Sequence, residues 1–160
     1  MTLLRPSALT AVLLLAACGF HLEGRAPLPV AVKTPFLEAP DPQSDFVQYL
    51  RHNLLSNGAQ LMPEKGDASA VVSILNDRFA RRVLSVSSIN RVNEYEVTYT
   101  IAFSVTAGGK ELLPPQELTT TRTYSFDETA LLAKGHEEDI LRQDMARNLA
   151  DMVMRRLSSL

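Results

Sequence analysis

Residues 95–106 read Tyr95-Glu96-Val97-Thr98-Tyr99-Thr100-Ile101-Ala102-Phe103-Ser104-Val105-Thr106, and this alternation decides the architecture. The aromatic and β-branched residues fall on one face of an extended chain and Glu, Thr, Ala and Ser on the other, the pattern of a strand covered on one side only. Gly108-Gly109 follows, supplying the positive-φ positions of a tight turn. After a loop expected through Pro114-Pro115, residues Leu118 to Phe126 resume β character. Thr119, Thr121, Thr123 and Ser125 share one face there, and Leu118, Thr120, Arg122, Tyr124 and Phe126 the other. Upstream, Val71, Val72, Ile74 and Leu75 are strand-like, and the chain then turns basic. Arg78, Arg81, Arg82 and Arg91 accompany a single acid, Asp77, before the turn-forming residues Ser85 to Asn90 give way to the next strand. This predicts a long hairpin with a positively charged distal half.

Two helices complete the pattern. Asp41-Pro42 offers a capping oxygen and a proline at the first helical position. Phe46, Val47, Leu50, Leu54 and Leu55 then form one apolar stripe, ended by Asn57-Gly58. Ahead of it, a first strand is predicted over about 29–38, its Pro35 at an edge or irregular end; after it, Ala59 to Met62 can begin the next strand. Asp127 to Gly135 reads as a turn of helix or a loop. The last helix opens on Glu137, Glu138 and Asp139 and closes on Arg155-Arg156, both complementing the macrodipole. Its expected buried stripe is Leu141, Met145, Leu149, Met152, Val153 and Leu157. The order β-α-β-β-β-α implies an α/β protein of the α+β sandwich kind. Two amphipathic helices pack on one face of a four-stranded mixed sheet, with a right-handed crossover first and antiparallel strands after it.

At the N-terminus, the apolar run Ala8 to Ala17 after Arg5 has signal-peptide length and is too short to span a bilayer. Leu15-Ala16-Ala17-Cys18 resembles the bacterial lipobox, which implies a diacylglycerol on the Cys18 thiol, cleavage before it, and a domain held on a membrane by its acyl chains. Gly19 stands where lipoproteins retained in the inner membrane often carry Asp, so the resemblance implies the outer membrane. The expected organisation is a signal peptide at 1–17, a lipidated N-terminus and tether at 18–28, and a single domain at 29–160.

Of 160 residues, 16 are Lys or Arg and 18 Asp or Glu, for a net charge of −2. Losing Arg5 with the signal takes this to about −3, which argues against nucleic-acid binding. The lone cysteine leaves no internal disulfide and no thiolate cluster once it carries lipid. No nucleophile elbow, phosphate-binding loop or dinucleotide fingerprint is present. His21, His52 and His136 do not form a ligand set, and Glu94 and Glu96 on one strand face fit solvated carboxylates better than a sugar-active pair. The expectation is therefore no enzyme and no cofactor apart from the covalent lipid. The arginine cluster has two readings of similar weight: a phosphate-binding strip, or a solvated hairpin paired with Glu94 and Glu96.

Cys18-Gly19-Phe20-His21-Leu22, then Asn53-Leu54-Leu55-Ser56-Asn57-Gly58, Glu94-Tyr95, Ser125-Phe126-Asp127, Leu132-Ala133-Lys134 and Glu138-Asp139 occur in the order found in one family. On these motifs the whole mature chain resembles the LptE family of lipopolysaccharide-assembly lipoproteins. The resemblance implies a lipid-anchored protein at the periplasmic face of the outer membrane. Such a protein plugs the LptD β-barrel, helps that barrel assemble and binds lipopolysaccharide. It also implies Arg91 and Lys134, with Arg82 beside them, as phosphate contacts. The alternative is an auxiliary lipid-binding lipoprotein of another envelope transport system.

Overall fold

The computed structural model describes residues 28–126 and 131–160, with the side chains of 131–136 left out. Cys18, the tether at 18–27 with His21, the segment 127–130, and the side chains of Lys134 and His136 thus lie outside the described residues.

Four strands form one mixed sheet in the order β1-β2-β3-β4. β1 (Pro35–Glu38) leads through α1 (Asp45–Ser56) to β2 (Ala70–Val86), which runs parallel to it. β3 (Val92–Ala107) and β4 (Lys110–Ser125) follow as antiparallel neighbours, and α2 (Leu131–Ser158) ends the chain. This is the anticipated α+β sandwich.

The alternation in β3 does what its chemistry requires. Val97, Tyr99, Ile101, Phe103 and Val105 are buried beneath the helices. Phe46, Val47, Leu50 and Leu54 of α1 meet them, with Met145, Ala146, Leu149, Ala150, Val153 and Leu157 of α2. Each Val, Leu, Ile, Phe or Met among them contributes roughly 1.5–3 kcal/mol on burial, and each Ala less. Leu28 is also buried, so the packed domain includes it. The opposite sheet face has no helix among the described residues, as the antiparallel β2–β4 part of the sheet allows with one wet side.

Several local expectations are corrected. Val30–Val32 is a turn of 3-10 helix, and β1 begins only at Pro35, whose missing N–H costs least at a strand start. α1 is capped by Ser44 rather than Asp41: Ser44 Oγ accepts from Val47 N at 3.2 Å, while Asp41 closes a short turn by accepting from Gln43 N at 2.9 Å. Leu55 points outward, 52% exposed. Residues 59–62 form no strand, yet Gln60 N donates to Lys33 O at 2.8 Å and Met62 N to Pro35 O at 2.9 Å, so this segment covers the outer edge of β1.

Pro114-Pro115 does not interrupt β4. It lies where the register with β3 shifts, on an edge strand, the place where prolines and bulges are tolerated. α2 starts at Leu131, so Glu137 to Asp139 lie inside the helix rather than at its start; Arg155 and Arg156 do occupy its last turn. The positive φ of Gly108 (55°) and Gly109 (76°) forms the predicted tight turn. No described helix is long and apolar enough to cross a membrane.

Candidate functional site

The distal half of the β2–β3 hairpin and the helix-free sheet face form the candidate surface. Strand geometry sends alternate residues to opposite faces, so the basic strip of the sequence divides in two. Arg82 pairs in register with Glu96 on the helix-free face, and Arg78 pairs with Thr100 there too. Arg81, opposite Val97, lies on the helix side.

Arg82 exposes 71% of its side chain and donates from Nε to Glu96 Oε1 at 2.5 Å. The guanidinium in turn holds the Glu96 carboxyl below its ordinary range, chiefly through that hydrogen bond. Ser85 Oγ donates to Glu94 Oε2 at 2.7 Å. Both strand carboxylates therefore sit in cross-strand bonds, which favours the ion-pair reading for Arg82 itself.

On the helix side, Arg81 Nη1 donates to Glu138 Oε2, and its guanidinium lies 4.7 Å from the centroid of the Tyr95 ring, a cation–π contact. Tyr95 packs against Phe126 at 5.2 Å and Tyr124 at 5.7 Å between centroids. The Tyr124 hydroxyl donates to Glu138 Oε2 at 2.6 Å. Burial and that bond together push its pKa up to about 12. This aromatic clasp was not singled out from the sequence. Its signal was the shared face of Tyr124 and Phe126 beside the opening Tyr95 of β3.

At the tip, Ser87 N donates to Arg91 O at 2.7 Å and Asn90 N to Ser87 O at 3.0 Å. Asn90 takes a φ of 61°, a conformation its short polar side chain tolerates. Arg91 N also donates to Ser87 Oγ at 3.1 Å, so Arg91 is fixed at the turn. Its neighbours are apolar and exposed: Val83 (48%), Leu84 (43%), Val86 (53%) and Ile89 (70%). Arg82 lies four residues before Val86, about 13 Å down the hairpin at the usual strand rise. The hairpin thus carries both Arg82 and Arg91, while Lys134 stands in the first turn of α2 with its side chain outside the described residues. A positive, amphipathic tip of this kind suits an anionic headgroup with apolar chains beside it.

The helix-free face is a carpet of small hydroxyls. Glu96, Thr98 and Thr100 of β3 stand in register with Thr123, Thr121 and Thr119 of β4. Thr100 and Thr119 hydroxyls lie 3.1 Å apart. His52 sits apart on α1, 3.5 Å from Ser56 Oγ. At the other end of the sheet, a cleft of about 290 Å³ separates residues Lys65 to Val71 from the Gly108-Gly109 turn.

The model of the LptE lipopolysaccharide-assembly family matches residues 31–157. The LPS-assembly lipoprotein LptE of Pectobacterium atrosepticum is 29% identical over 149 residues, covering 92% of this chain and 80% of that protein. Its Yersinia pestis counterpart is 25% identical over 148 residues, covering 92% and 71%. Among solved structures, lipoprotein B from Nitrosomonas europaea superposes with a TM-score of 0.74 at 27% identity, over 88% of this chain and 91% of that one. The rare lipoprotein B from Shewanella oneidensis gives 0.69 at 27% identity, over 79% and 95%. With the fold and this match both extending over nearly the whole described domain, the chain belongs to the LptE family of lipopolysaccharide-assembly lipoproteins.

Proposed function

We propose that this chain is a non-enzymatic lipoprotein held at the periplasmic face of the outer membrane by acyl chains on Cys18. There it binds and plugs the LptD β-barrel, helps the barrel assemble, and binds lipopolysaccharide on its way to the cell surface. The observation that carries this reading is the helix-free sheet face. A barrel lumen is polar, and a plug must present polar surface to it. Thr98, Thr100, Thr119, Thr121 and Thr123 do so, with Arg78, the Arg82–Glu96 pair and Glu117 around them on the same face. The exposed arginines of the hairpin, Arg82 and Arg91, together with Lys134, are the proposed contacts for lipid A phosphates.

Gentle detergent extraction of the tagged full chain tests the partner: an LptD-sized β-barrel should co-purify. Recovery of an inner-membrane transporter instead would favour a lipoprotein of another transport system. Mass spectrometry of the mature protein should find Cys18 acylated and N-terminal.

A further inference from the structure

The two edges of the sheet are finished differently. The outer edge of β1 is short and accepts a hydrogen bond from Met62 at Pro35, with Gln60 bonded to Lys33 just before it. β4 is the other edge, and its two halves also differ. The proximal half carries Lys110, Glu111, Pro114, Pro115 and Glu117, the charges and prolines with which proteins blunt an edge. The stretch Thr119 to Thr123 carries no proline, and its single charge, Arg122, belongs to the helix side of the sheet.

The direction of each amide follows from one bond. Phe126 N donates to Asn93 O at 2.7 Å, making that pair a hydrogen-bonded one. Antiparallel pairs alternate between bonded and non-bonded. With the register running from Glu94↔Ser125 to Ile101↔Leu118, the residues Leu118, Thr120, Arg122 and Tyr124 bond to β3. Thr119, Thr121 and Thr123 therefore aim their N–H and C=O groups away from the sheet. Among the described residues no backbone group reaches those three amides. Only the Thr121 carbonyl is engaged, by Arg122 Nη1 at 3.1 Å, through a side chain able to rotate away. All three residues are exposed.

We propose that this half of β4 is a strand-addition site that receives an extended segment of the barrel polypeptide. The idea rests on the reading of the chain as a barrel partner, and says which surface makes the junction. Outward N–H and C=O groups repeating about every 7 Å are matched in spacing and polarity by another β-strand, and not by an acyl chain. The edge also borders the hydroxyl face assigned above to the lumen, so one segment can bond to the edge while its neighbours lie over the threonines. A second copy of this chain fits poorly. Two β4 edges paired about Thr121 would make Arg122 of each copy a diagonal neighbour of the other, without a carboxylate between them.

The test uses the full lipidated chain co-expressed with its barrel. Thr121→Pro and Thr123→Pro remove outward N–H groups and leave the bonds to β3 in place, as Pro115 already does further along the edge. Thr121→Val and Thr123→Val change the side chains alone. The proline variants should recover about tenfold less barrel, the scale of one or two lost backbone hydrogen bonds, with the valine variants near wild type. Equal recovery by all four overturns the strand-addition site and leaves the plug reading standing. A wild-type chain that brings down no barrel ends both. A purified chain that dimerises, and becomes monomeric in the proline variants, overturns the choice of occupant. Should the proline variants not fold, hydrogen exchange on the wild-type complex decides: the Thr119, Thr121 and Thr123 amides must slow on binding, and unchanged exchange overturns the proposal.

Discussion

Arg81 Nη1 lies 2.6 Å from Glu138 Oε2, joining the hairpin to the last helix. The same carboxylate oxygen accepts from the Tyr124 hydroxyl, so one residue of α2 holds both β2 and β4. Glu138→Ala leaves a guanidinium and a phenol without their acceptor. Arg81 is half exposed and Glu138 about a quarter exposed, so water offsets part of the loss, and a cost of about 1–2 kcal/mol is expected. Glu138→Gln keeps an acceptor oxygen and should lose less. Urea unfolding of the three proteins measures both.

Alkaline pH should weaken the fold through two tyrosines. Burial and the Glu138 bond raise Tyr124 from 10.0 to about 12. Burial, with Asp77 close by, raises Tyr99 further. The folded state thus prefers both phenols neutral. Their contribution is complete below about pH 10 and fades as pH climbs through the folded values. Thermal midpoints should fall between pH 10 and 12, and Tyr124→Phe should flatten part of that fall. Ultraviolet titration of the folded protein should show two tyrosines ionising late.

Ser44 caps α1 and also donates from its hydroxyl to Asp77 Oδ2 at 2.5 Å, tying the helix start to β2. Ser44→Ala loses both bonds and should cost about 1–2 kcal/mol, whereas Asp41→Ala, in an exposed turn outside the helix, should cost well under half of that. Thermal unfolding distinguishes the two variants, and equal losses would contradict the capping assignment.

Charge reversal tests the headgroup contacts. The double variant Arg91→Glu and Lys134→Glu should weaken lipopolysaccharide binding about tenfold while far-ultraviolet circular dichroism stays unchanged. Arg82→Gln should weaken it less, because Glu96 already holds that guanidinium. Unchanged binding in the double variant would remove these residues from the site.

Much of the fold was legible because its signals are periodic. The alternation of residues 95–106 fixed one covered face, and the stripes around Leu50 and Leu149 supplied the helices to cover it. Local boundaries were less legible, since they depend on tertiary partners. Ser44 outcompetes Asp41 as a cap where Asp77 waits for its hydroxyl. Pro114-Pro115 looks like a loop until β4 proves to be an edge. The candidate site was legible as a list of arginines and not as an arrangement. Sequence spacing placed Arg81 beside Arg82, and the pleat sends one to Glu138 and the other to Glu96.

The long pairing of β2 with β3 also fixes how far the tip can stand from the rest of the molecule. β2 begins just after Ser69, whose hydroxyl donates to Ala31 O at 2.8 Å, while the Ser87–Arg91 turn closes the far end of the same strand. Because side chains repeat every two residues, this reach grows in two-residue steps wherever no bulge intervenes. Adding two residues to each strand would carry the tip outward by about 7 Å with every threonine still facing the same way. Adding one would reverse the faces beyond the insertion unless a bulge took it up, as the extra residue of β2 between Ile74 and Asn76 is taken up while Phe103 and Tyr99 both stay in the core.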